Sequence, residues 1–258
     1  MQKSNIILLW LTPVYIWIAE LAAFIHEYAH SITAWILGVK DYPFDIIYGG
    51  WSWLNLIFLA NINENVNYAL IDQSGHRHLI CFIAAAGPIA TLVVYFITLY
   101  LLRKRFSRYL YYLVFWINLG QIRELWAYIP LRSLSTHAEI ANMNYMSDVI
   151  NFNYSLGISD GWIVILLAPL VVWGIWNFFA NTLKNAYEKL GLFSISSRAI
   201  LLVLTVIFFF GLTSLQILSA NYNLITRALT WSSLIAMPFI LFFCWPKKYD
   251  IMTARIMR

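Results

Sequence analysis

Charge is what this sequence has least of. Asp, Glu, Lys and Arg make up only 11% of its 258 residues, against about 25% in an ordinary soluble domain. Hydrocarbon cannot solvate charge, so long charge-free runs exclude a large soluble core and point to membrane spans. No internal repeat, low-complexity linker or polar stretch long enough for a separate soluble domain is present. A basic face on a folded domain is missing too, which excludes a nucleic-acid partner despite the net charge of +5. Only two cysteines occur, Cys81 and Cys244, both in apolar surroundings, and they carry no message about redox compartment. The amino-terminal apolar run has no small-residue cleavage pattern before His26 and continues to Val39, so it reads as a span rather than a removable signal.

What remains is apolar, at 61% of residues. Six hydrophobic segments, near 5–28, 79–102, 107–129, 161–182, 199–219 and 227–245, are each long enough to cross a hydrocarbon layer of about 30 Å. The expected fold is an all-α integral membrane protein of about six transmembrane helices in a lipid bilayer. After the first helix, residues 40–76 combine Gly49-Gly50, Trp51 and Trp53 with partial alternation from Asn61 to Tyr68. That pattern predicts a small interfacial β-hairpin or re-entrant element. The chain reads as one membrane domain in two parts, residues 1–145 with three spans and 146–258 with three more.

Lys and Arg placement sets the orientation. Lys3, the 102–108 connection, the 183–198 connection and the carboxy-terminal tail together hold twelve of the seventeen basic residues. Both termini are therefore expected on the cytoplasmic side. The same topology puts all five histidines, His26, His30, His76, His78 and His137, at or near the opposite side.

One motif carries chemistry. His26-Glu27-Tyr28-Ala29-His30 places two histidines four apart, hence on one helix face and within reach of one metal ion. Glu27, beside the first ligand, can act as general base toward a water whose pKa zinc lowers to about 7. Ionisable residues at membrane depth are expensive and functional by default, which weakens the alternative that these are satisfied polar residues in a bundle. A catalytic zinc needs a third protein ligand and an open position. Glu139 and His137 are the leading candidates, with Asp148 a further one in the same loop. His76 and His78 flank a charged turn and suit an interfacial anchor better than a ligand role. In the third segment Asn118 and Gln121 share a face; they either support the metal site and a substrate groove or hold helices together. Gly87 and Pro88 in the second segment permit close packing and a kink.

These blocks resemble the site-2 protease family of intramembrane zinc metalloproteases. His26 to His30 matches the family's zinc motif. Ala86-Gly87-Pro88-Ile89-Ala90-Thr91 resembles its Ala-Gly-Pro motif, with Thr91 where Asn is usual. Asn118-Leu119-Gly120 through Tyr128-Ile129-Pro130-Leu131 is similar to the run before the family's third ligand, but the usual Asp-Gly is absent, and Glu139, with His137 before it, is the nearest match. The resemblance covers roughly residues 20–140. It implies a Zn2+ ion, cleavage of a membrane-embedded or membrane-proximal peptide bond in a membrane-protein substrate, and substrate added as a strand beside residues 48–68. The altered third block leaves a second reading open, a non-proteolytic zinc-binding protein or inactive homologue that acts as a regulatory partner.

Overall fold

The first hydrophobic segment breaks twice, and its sequence supplies a breaker at the first of the two. In the computed structural model, which describes residues 3–51, 55, 59, 62–132, 147–218 and 224–247, this segment forms three helices: α1 (Lys3–Trp10), α2 (Thr12–Glu20) and α3 (Ala23–Ile36). Pro13 has no N–H to give the carbonyl of Leu9, four residues back. The hydroxyl of Thr12 takes that role, donating to the Leu9 oxygen at 2.7 Å. Thr12 Oγ1 in turn lies 2.7 Å from the Tyr112 hydroxyl, which must then be the donor.

Next come α4 (Tyr68–Gln73), α5 (Arg77–Leu101), α6 (Arg108–Trp126), α7 (Asp148–Leu156) and α8 (Asp160–Asn177). The chain continues through α9 (Leu183–Lys189), α10 (Ile195–Val206), α11 (Thr213–Leu218) and α12 (Leu224–Cys244). Three π-helical stretches, Ala127–Arg132, Phe178–Thr182 and Ile207–Leu212, prolong α6, join α8 to α9 and join α10 to α11.

The described residues are thus all helical apart from turns and connections, as expected of an all-α membrane protein. The expected six spans are not what they form. Four helical runs are long and apolar enough to cross a membrane: Arg77–Leu101, Gly161–Lys189, Ile195–Leu215 and Leu224–Cys244. The first segment drops out because it is broken into short helices, and the third because Asn118, Gln121, Arg123 and Glu124 make α6 too polar. Only 11% of the most apolar window of the last run is buried, leaving Phe242 and Phe243 outward-facing. Such surface suits a hydrocarbon solvent.

The expected β-hairpin is corrected as well. No strand occurs among the described residues; Ile47 and Asn63 form one isolated antiparallel bridge, their amides and carbonyls exchanged at 2.8 and 3.0 Å. Gly49 and Gly50, both at φ 74°, turn the chain just past Ile47. The alternation read in the sequence has another meaning. It buries Glu64, Val66 and Tyr68 and exposes Asn65 and Asn67.

By compactness the chain divides into two units, one of residues 1–19, 97–123 and 172–258, the other of residues 20–96 and 124–171. Asp148 and α7 belong to the unit that holds the histidine motif. The first unit packs aromatic rings: Phe115 lies 5.2 Å from Phe178 and Trp116 5.5 Å from Phe208, centre to centre. Within a bilayer such packing, rather than expulsion of water, holds helices together. The second unit has an apolar cluster of Ala34, Val66, Tyr68, Ile71, Ile80 and Ile83, which sets α3, α4 and α5 against one another.

Candidate metal centre

α3 supplies the two histidines. Four residues apart, they share a helix face, and both are buried, at 2% exposure for His26 and 0% for His30. Their Nε2 atoms stand 3.1 Å apart. Asp148 closes the group from the first turn of α7: its carboxylate lies 3.0 Å from Nε2 of His26 and 3.4 Å from Nε2 of His30. A helix N-terminus favours a carboxylate there. His26, His30 and Asp148 are the described residues that meet as a possible metal-holding group.

The partners behind the histidines fix which nitrogen faces inward. Nδ1 of His30 lies 2.6 Å from the carbonyl of Ile83 on α5. A carbonyl can only accept, so Nδ1 carries the hydrogen, and Nε2 is the nitrogen turned to the centre. Nδ1 of His26 meets the buried hydroxyl of Thr91 at 2.9 Å. The His26 ring also stacks on Tyr128, centroids 5.1 Å apart and planes 13° off parallel. Burial alone would raise the carboxyl of Asp148, but the imidazoles of His30 and His26 outweigh it and hold the group below the usual carboxylate range. Two imidazole nitrogens and a carboxylate this close need a cation among them, either protons on the rings or one metal ion.

The donor set fits a metal. Zinc bonds of about 2.0–2.1 Å in a tetrahedron place neighbouring ligand atoms roughly 3.3 Å apart, and the three separations here are 3.0, 3.1 and 3.4 Å. Gly87 keeps the adjacent space open. A Cβ on it would stand 2.1 Å from Nε2 of His30 and 2.6 Å from Nε2 of His26. Those are nearer to metal-bond lengths than to any contact a carbon can make. Pro88, next in α5, deprives Ala84 of its helical donor, a disturbance tolerable in a packed helix.

Asp148 is itself held in place. Six residues on, the Tyr154 hydroxyl donates to Asp72 at 3.1 Å, and the Arg77 guanidinium lies 3.8 Å over the Tyr154 ring while pairing with Asp72 at 3.3 Å. α7 is thereby pinned to the start of α5, the helix that presents Ile83, Gly87 and Thr91 to the histidines.

Glu27 is half-buried beside His26, in electrostatic reach of His30, Asp148, Glu64 and Glu124. Of the other expected site residues, His137 and Glu139 lie outside the described residues. Asn118 and Gln121 are buried in the first unit, where the Asn118 amide donates to Thr98 at 3.0 Å. That bond is interhelical, between α6 and α5. His76 and His78 are exposed. Glu64 and Tyr128 went unsingled in the sequence; the alternation of residues 64–68 was the signal for Glu64, and nothing local marks Tyr128.

Fold and site together define a class, an all-helical membrane protein with a buried His-His-Asp group able to hold a metal ion. No family model matches the chain, and no curated protein or solved structure matches it significantly.

Proposed function

We propose that this protein is a membrane-embedded zinc endopeptidase that cleaves a membrane-embedded or membrane-proximal peptide bond. The observation that carries the reading is the meeting of His26, His30 and Asp148 beside Glu27. Three protein ligands with a neighbouring carboxylate is the composition of a catalytic zinc site rather than a closed structural one. The resemblance of residues 20–140 to site-2 proteases supports the same reading. In it, Asp148 takes the ligand role for which Glu139 and His137 were the leading sequence candidates.

His26, His30 and Asp148 would hold a zinc ion, which would supply Lewis acidity there. Glu27 takes the proton of the attacking water and returns it to the leaving amine. Ile83 and Thr91 keep the two imidazoles turned toward the centre, and Tyr128 covers one face of His26. Both termini are cytoplasmic in this reading, and the site faces the opposite side.

Metal analysis of purified protein paired with a cleavage assay tests it. Glu27→Gln retains one zinc per chain and loses cleavage of a co-expressed membrane protein that the unaltered chain cuts. Cleavage retained in that variant contradicts the mechanism. Zinc bound by the unaltered chain, with no cleaved product from either the unaltered chain or the variant, leaves the non-proteolytic reading in its place.

A further inference from the structure

A second polar site lies in the first unit, away from the histidines in sequence and unused by the proposed chemistry. The run Gly161–Lys189 is apolar, with a mean hydropathy of 2.2 over its best window. Near its end, however, Asn177, Asn181 and Asn185 recur every fourth residue, which puts three amides along one face. The π-helical stretch Phe178–Thr182 falls within that stripe. Such distortions inside helices are frequent at functional sites.

The amides open on a cavity of about 480 Å³, within the range of roughly 300–1,000 Å³ typical of ligand pockets. Arg103, from the basic connection after α5, and Lys189, at the end of α9, also line it, as does Glu188. Tyr111 borders the cavity too. It is 1% exposed, and its hydroxyl has no hydrogen-bond partner among the described residues. A buried hydroxyl without a partner is costly, and a ligand oxygen nearby removes that cost.

Two cations against one carboxylate leave a single net positive charge, which suits a phosphodiester monoanion. The connections that supply Arg103 and Lys189 also carry Lys104, Arg105, Arg108 and Lys184. This is the basic end of the helices, where the positive-inside rule places the cytoplasmic leaflet. Basic pockets at that depth bind anionic headgroups.

We infer that this cavity binds the phosphate-bearing headgroup of an anionic phospholipid, with Arg103 and Lys189 on the phosphate and the Asn177–Asn181–Asn185 stripe on the headgroup's other oxygens. The test is native mass spectrometry of the full-length protein in neutral detergent, titrated with phosphatidylglycerol or with phosphatidylcholine. Phosphatidylglycerol adducts are expected to persist where phosphatidylcholine adducts do not. Arg103→Gln with Lys189→Gln should weaken them roughly 30-fold, two cations each contributing about fivefold. Asn181→Leu, which leaves the charge alone, should weaken them as well.

A third arm adds glycerol 3-phosphate and follows thermal stability. Stabilisation by it that the Gln variants abolish, without lipid selectivity, keeps the phosphate site but assigns it to a soluble phosphoester and overturns the lipid. Equal retention of both lipids, unchanged in all variants, overturns the site itself. Both charge variants alter exposed side chains, so a symmetric size-exclusion peak is expected and serves as the folding control.

Discussion

Gly87 stands so close to His30 that a Cβ on it would lie 2.1 Å from the ring's Nε2. A carbon cannot occupy that point, whereas a metal ion held by the ring can. The glycine of the Ala86-Gly87-Pro88 block therefore has a specific task beyond close helix packing. It leaves the space beside the His26 and His30 nitrogens open, where an ion would fit.

Gly87→Ala is accordingly expected to abolish metal binding, because the methyl must displace the His30 ring or the helix. Metal content after size exclusion checks this. A monodisperse variant that keeps a full complement of metal would show that the ion sits elsewhere.

Asp148→Ala should lose the metal, while His137→Ala and Glu139→Ala should retain it. Elemental analysis of the three purified side by side decides among them. Metal lost from either of the latter two, and retained without Asp148, would move the third ligand into the 133–146 connection.

Thr91→Val keeps the shape of the side chain and removes the hydroxyl that meets Nδ1 of His26 at 2.9 Å. Removal of such a supporting partner typically weakens metal affinity by about 10- to 100-fold. Thr91→Ser should restore most of it, since the hydroxyl returns. Competition with a zinc chelator measures the difference, and an unchanged affinity in Thr91→Val would deny Thr91 this positioning role.

How much of this was legible in the sequence differs from residue to residue. His26 and His30 were readable because a helical repeat alone brings them to one face, and Glu27 because it directly follows the first of them. The all-helical membrane character was readable from the shortage of charge. Asp148 was only a further candidate, because its approach depends on Tyr154, Asp72 and Arg77, contacts between residues up to 82 positions apart. The first and third segments misled for opposite reasons. One is broken into short helices, beside Pro13 and again at Leu21-Ala22, which hydropathy averages away, and four polar residues in α6 are outvoted by the leucines and aromatics around them. In residues 64–68 the alternation reports burial rather than strand pairing: Glu64, Val66 and Tyr68 turn inward, while Asn65 and Asn67 are exposed.

Tyr154→Phe removes the hydrogen bond to Asp72 without touching the metal-holding group. The expected cost is about 0.5–1 kcal/mol, or a fall of roughly 1–4 °C in the thermal midpoint. Scanning calorimetry in detergent checks it, and an unchanged midpoint would mean that α7 is anchored by other contacts.

Proteolysis itself is tested most directly by mapping new peptide ends. Membranes from cells expressing the unaltered chain or Glu27→Gln, at equal abundance and equal zinc content, are compared by mass spectrometry of protein termini. A zinc endopeptidase with Glu27 as its base predicts ends within or beside apolar spans that appear with the unaltered chain and vanish with Glu27→Gln. Identical sets of ends in the two membranes would contradict it.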